Sequence, residues 1–262
     1  MTRWLYGLLG VAVLIGVAGC GGNRSSPTPT PSAITEAPKS SATPMPTQMP
    51  SDCSNLVPGA MLQGCDLSFR DLTGVNLSGA NLNSAILLGA TVTRADFSDG
   101  DLGGISLKGV SGAMANFEGA NLVGADLTGA MFQNASFRSA AMASADLSEA
   151  VLTSADLSSA NLYGARMDRT KLMKANLRNA VLSGAYLATA DLSNANLTGA
   201  VLLRATLVEV IDNASNWEAR DLDQILEDYV YGVTRPPDTV RSVNLRGAKL
   251  SGATMPDGSV KP

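Results

Sequence analysis

The chain has 262 residues, 45% of them hydrophobic but only 5% aromatic, a net charge of −4 and no histidine. That mild charge excludes both the basic surplus of a nucleic-acid binder and the strong acidity of a nucleic-acid mimic, and the missing histidine removes the commonest general base and metal ligand. The length allows one or two domains, and an interior so poor in aromatics and rich in Ala, Gly and Leu suits thin stacked layers better than a thick core.

Residues 1–19 carry one early cation, Arg3, then an apolar run from Trp4 to Ala18. The run is short for a membrane-spanning helix, which needs about 20 apolar residues, and it has the anatomy of a signal peptide. Val17-Ala18-Gly19-Cys20 resembles the lipobox of bacterial lipoproteins. The resemblance implies cleavage before Cys20, lipid on its thiol and a mature chain anchored at its N-terminus. An ordinary secretory signal or an uncleaved anchor is the alternative, and either reading exports the protein.

Residues 20–52 turn to Pro, Ser and Thr, with seven prolines from Pro27 to Pro50. Such a segment cannot bury enough apolar surface to offset its ordering entropy, so it reads as a tether with a reach of roughly 30 Å. Cys53 and Cys65 follow. In an exported protein they can pair and tie the tether to the first repeats; alternatively Cys65 is a small buried residue with no partner.

From Ala60 to about Glu209 a large apolar residue recurs at every fifth position, Leu62, Leu67, Leu72 and onward to Leu207, with one gap at Gly112. A small residue stands two places before each, as at Ala80, Ala85 and Ala90. Neither a helical period of 3.6 nor a strand period of 2 produces this beat, so it is an internal repeat. Units such as Ala120-Asn121-Leu122-Val123-Gly124 and Ala125-Asp126-Leu127-Thr128-Gly129 resemble the pentapeptide repeat family. The resemblance implies an all-β solenoid, a right-handed quadrilateral β-helix with one pentapeptide per side, over residues 53–210.

On that plan residues 20 apart stack on neighbouring coils. Phe97, Phe117 and Phe137 then form an inner ladder, and Glu118 with Arg138, Asp146 with Arg166, Glu149 with Arg169 and Lys171 with Asp191 form outer charge pairs, against one like-charge pair, Asp126 with Asp146. Gly112 leaves a gap for bulk from Val92, Val110 or Phe132 to fill. Both ends of such a stack expose unpaired backbone and require caps. Ser215 and Glu218 have capping-box spacing ahead of an apolar pattern from Leu222 to Val230, which predicts one α-helix within residues 211–240, either capping the solenoid or reaching a partner. Residues 241–262 resume the beat in a new phase with Val243-Asn244-Leu245, then Ala248 and Ala253 units.

No metal-ligand spacing, phosphate-binding glycine loop or nucleophile with a base is present, so no catalytic residue, metal, cofactor or small-molecule substrate is expected. The outward Asp residues occupy the repeat's own Asp/Asn slot. A basic cluster, Arg166, Arg169, Lys171, Lys174 and Arg178, is spread round one coil and reads as a solvated surface, with anionic lipid or wall polymer as the sharper alternative. One side differs: Val123, Ala143, Tyr163, Val181, Val201 and Leu203 face outward with only Asp101 and Arg204 as charges. It is a candidate protein-binding face, unless the chain's own helix covers it. The expected function is a non-catalytic, membrane-anchored interaction scaffold of the cell envelope that binds another envelope protein and no nucleic acid. The family resemblance supplies the alternative, a DNA-mimicking inhibitor or accessory protein of topoisomerases, against which the signal peptide and modest charge argue.

Overall fold

The computed structural model describes residues 52–210 and 240–262. Within them each pentapeptide contributes one residue to a parallel ladder, Met61 pairing with Asn81, Asn81 with Asp101 and so on to Val181 with Val201. Four such ladders, begun by Met61, Asp66, Asp71 and Asn76, give a coil of four sides and 20 residues. The ladder residue bonds both ways: Asn81 N–H donates to Ala60 O at 2.8 Å, and Asn81 O accepts from Leu62 N–H at 2.7 Å. Almost every buried backbone group in the walls is thereby paired with the next coil, as burial demands.

The repeat's consensus follows from its corners. After the central residue the chain rounds the corner to the next side in a tight turn, closed for example by Cys65 N–H donating to Leu62 O at 3.1 Å. The second turn residue has positive φ, as at Gly124 (66°), Asn134 (59°) and Ser154 (59°). A positive φ at that place is the signature of a type II turn, which favours Gly and Asn. The Asp or Asn before the central residue braces the same turn, as when Asn76 Oδ1 accepts from Ser78 N–H at 3.0 Å and Asp156 Oδ1 from Ser158 N–H at 3.0 Å. Thr189 departs from the rule. As a β-branched residue it disfavours the left-handed region, φ stays out of that region, and its Oγ1 accepts the Arg169 N–H at 2.8 Å in place of the Ala188 carbonyl.

Inside, the central Leu, Met and Phe and the small Ala residues are buried in one continuous core. Phe97, Phe117 and Phe137 stack with centroids 5.0 and 4.8 Å apart, and Phe132 meets Phe117 and Phe137 edge-on at 5.3 and 5.4 Å. Phe132 also fills the Gly112 gap: a methyl group on Gly112 would collide with its ring and with Val92 Cγ2 at 2.9 Å. Gly112 is therefore a packing requirement, and its φ is not positive.

Two of the four expected charge pairs form, Arg138 with Glu118 at 3.8 Å and Arg169 with Glu149 at 2.9 Å. Arg166 instead joins Asp168 on its own coil at 3.3 Å. Asp146, its expected partner, is held in its turn by the Ser148 N–H at 2.9 Å. Asp191 is likewise occupied, accepting from Ser193 N–H and from Asn244 Nδ2 at 2.9 Å, and no ion pair to Lys171 forms among the described residues.

At the N-terminal end Cys53 and Leu56 pack against the first coil. Cys53 and Cys65 form a disulfide, and Arg70 Nη1 donates to Cys53 O at 3.1 Å. At the other end the chain leaves the solenoid through β1 (Val208–Val210) and returns through β2 (Val240–Ser242), an antiparallel pair. Val243 N–H then donates to Leu207 O at 2.8 Å, and Asp191 pairs with Asn244, 53 residues on instead of 20. That 33-residue surplus accounts for the new phase of the last repeats. After Pro256 the tail folds back, Val260 pairing antiparallel with Thr254 and Lys261 N–H donating to Ala253 O at 2.9 Å. The signal segment, Cys20, the tether and the helix expected near Trp217 lie outside the described residues.

Candidate interaction surface

The six residues of the candidate face share one side. Asn121, Ala141, Asn161, Val181 and Val201 form its ladder, over the buried Leu122, Met142, Leu162, Leu182 and Leu202. Val123, Ala143, Tyr163 and Leu203 lie on the adjoining column of turn residues, linked coil to coil by bonds such as Ser144 N–H to Tyr163 O at 2.8 Å and Gly184 N–H to Leu203 O at 2.9 Å. Tyr163 is 59% exposed, Val123 45% and Leu203 42%, whereas Ala143 and Val201 are half-buried. At one end Asp101 Oδ1 accepts from Asn121 Nδ2 at 2.9 Å; at the other the tail closes the strip, with Gly258 beside Leu203. The result is a straight, weakly polar surface whose lateral spacing is set by the backbone ladder at about 4.8 Å per coil.

The basic cluster does not assemble. Arg166 and Arg169 line a polar cleft of about 290 Å³ with Ser148, Glu149, Asp168 and Thr189, but each guanidinium there already has a carboxylate partner. Ser148 Oγ, also on this cleft, is buried without a hydrogen bond. Lys171, Lys174 and Arg178 point to solvent from other sides and corners. Thr170 stands in a small inward slot and is fully buried, its hydroxyl donating to Leu147 O at 2.8 Å. Sequence reading passed over this cleft because it arises from the unusual Thr189 corner, which no period reveals. Among the described residues no group of His, Cys, Asp and Glu is placed to hold a metal ion.

The carboxylates with clearly altered acidity lie at the two ends. Hydrogen bonds from the Ser54, Ser68 and Thr73 side chains, and then from their backbone N–H groups, hold Asp52, Asp66 and Asp71 below the ordinary carboxylate value. For Asp257 the backbone N–H of Ser259 leads and its side chain follows. All four are solvent-facing turn braces, and none faces a partner that would make it an acid or base catalyst.

Comparison with known proteins gives the same picture. The family model for pentapeptide repeats matches in eight copies over residues 60–99, 114–148, 135–173 and 175–211, more than half of the chain. Among solved structures the chain is similar to HetL, a pentapeptide repeat protein involved in heterocyst differentiation regulation in the cyanobacterium Nostoc sp. strain PCC 7120, with 29% identity over 78% of this chain and 86% of that one, at a TM-score of 0.32. It is similar also to a pentapeptide repeat protein of the Arabidopsis thaliana thylakoid lumen, with 28% identity over 52% of this chain and 70% of that one, at a TM-score of 0.30. QnrB1, a plasmid-mediated fluoroquinolone resistance protein, matches at 16% identity over 71% and 91%, at a TM-score of 0.34. No curated protein matches the chain. On the repeat that fills its walls and the family model that covers it, the chain belongs to the pentapeptide repeat family.

Proposed function

We propose that this protein is an exported lipoprotein, anchored through Cys20, whose solenoid serves as a non-catalytic interaction scaffold in the cell envelope. Pentapeptide repeat proteins are generally non-catalytic. The observation that carries the reading is the weakly polar side bearing Val123, Ala143, Tyr163, Val181, Val201 and Leu203, on which no charged residue stands between Asp101 and Arg204. A row of outward Val, Leu and Tyr free of charged neighbours is the pattern of a surface that another protein covers. The lipobox-like Val17-Ala18-Gly19-Cys20 and the proline-rich tether supply the anchor and the reach. The partner is another envelope protein.

The test is affinity capture from cross-linked envelopes with the lipidated chain and with a Val181→Lys, Leu203→Lys variant. Both substituted positions face outward, so the variant keeps its fold, which circular dichroism checks. A protein retained by the native chain and lost from the variant supports the reading; equal capture by both removes this side as the working surface. Incorporation of labelled fatty acid, abolished by Cys20→Ser, tests the anchor separately.

A further inference from the structure

Of the twelve large apolar side chains exposed among the described residues, five, Val57, Met61, Phe69, Ile86 and Leu88, fall in the first coil and a half. Phe69 is the extreme case, 76% exposed with φ at 58°. Its corner slot favours Gly or Asn, and a bulky aromatic residue there is a backbone outlier that local turn chemistry does not reward. The ring meets the next coil at Gly89, the corner glycine of that unit, whose φ is 63°. A methyl group on Gly89 would come within 2.9 Å of Phe69 Cε1, so one edge of the ring rests against that corner.

Leu88 stands beside it, its carbonyl accepting the Phe69 N–H at 3.0 Å, and Ile86 follows on the same side. The rim carries charge of both signs: Arg70, whose Nη1 donates to Cys53 O, and Lys108 on the coil beyond Leu88, with the carboxylates of Asp66, paired in the ladder with Ile86, and Asp71. Exposed aromatic and aliphatic side chains with a charge-balanced rim match a zwitterionic lipid interface, the apolar groups entering the acyl boundary.

The course of the chain selects the same occupant. The tether that begins at Cys20 ends at Cys53, which is disulfide-bonded to Cys65 in the coil that carries Phe69. A segment of that length has a reach of roughly 30 Å, so the first coils, which carry the patch, are joined to the anchor by the shortest stretch of chain. From this placement we infer that Phe69, Ile86 and Leu88 form a second membrane contact, which lays the first coils of the solenoid against the phospholipid surface. The inference rests on the reading of Cys20 as the lipid attachment.

Flotation with mixed phosphatidylethanolamine and phosphatidylglycerol vesicles tests it, using the chain from residue 20 with Cys20→Ser so that no acyl chain contributes. This unlipidated protein floats with the vesicles, and Phe69→Asn lowers the bound fraction about tenfold, the effect of losing one buried aromatic side chain. The thermal midpoint of Phe69→Asn stays level or rises, because Asn suits the left-handed corner. Met114→Ser, at another exposed apolar corner with φ at 60°, leaves flotation unchanged. A chain that does not float, or a Phe69→Asn variant that floats as well as its parent, overturns the inference; so does a Phe69-dependent capture of an envelope protein without vesicle binding. Failure of the scaffold reading shows elsewhere, in capture insensitive to Val181→Lys and Leu203→Lys, and failure of the anchor in the absence of acyl label at Cys20.

Discussion

A single missing side chain shows how tightly one residue is bound to its neighbours in this fold. Gly112 stands where every other unit of the main run has Leu, Met, Phe or Val, and the space is taken by Phe132 from the next coil and Val92 from the one before. Restoring the consensus with Gly112→Leu therefore overpacks the core and costs about 1–3 kcal/mol, whereas the double variant Gly112→Leu, Phe132→Leu recovers most of that loss. Denaturant unfolding of the two single variants and the double one measures the coupling; additive effects would show that Phe132 does not fill the gap. The same dependence on context explains Arg166, whose partner at ladder spacing, Asp146, is engaged by the Ser148 N–H, so that the guanidinium turns to Asp168.

At the scale of the element, the pentapeptide is a unit that can be interrupted without being altered. The chain departs after Leu207 through β1 and rejoins through β2 so that Val243 takes the small inward slot and Leu245 the central one, both buried. Deleting residues 208–240, the 33-residue surplus, joins Leu207 to Arg241-Ser242-Val243-Asn244-Leu245 and recreates an unbroken beat. The shortened protein keeps a folded solenoid with its last coil paired to Asp191, Asn196 and Val201. Hydrogen exchange at Leu192, Leu197 and Leu202, whose N–H groups donate to that coil, checks this. Fast exchange at all three would mean that the excursion is needed to seat the final coil.

For the whole solenoid, each coil meets only its two neighbours, so stability is distributed along a line and its ends open first. The carboxylates held below their ordinary value, Asp52, Asp66, Asp71 and Asp257, sit at those ends. A carboxylate with a depressed folded value binds fewer protons in the folded state than in the unfolded one. Its contribution is complete above the ordinary value of 3.8 and is lost as pH falls through the folded value. Acid therefore loosens the first coil: amide exchange at Leu67 and Leu72 accelerates below about pH 4. Asp66→Asn with Asp71→Asn keeps the turn brace and flattens that response; an unchanged acid profile would show that these groups do not control the end. The five-residue beat determined the wall by itself, because each slot has one physical demand: a small or large apolar side chain inward, a turn brace, a left-handed corner. The Phe97–Phe117–Phe137 stack and the common side of Val123 to Leu203 were legible for the same reason, since a strict 20-residue coil turns sequence spacing into position. Only the tertiary structure decided the rest. Phe132 leaning into the Gly112 gap, the Thr189 corner, the fold-back of Val260 and the Phe69 patch all depend on which rotamer, hydrogen bond or chain end wins locally, and a periodic pattern holds no record of that competition.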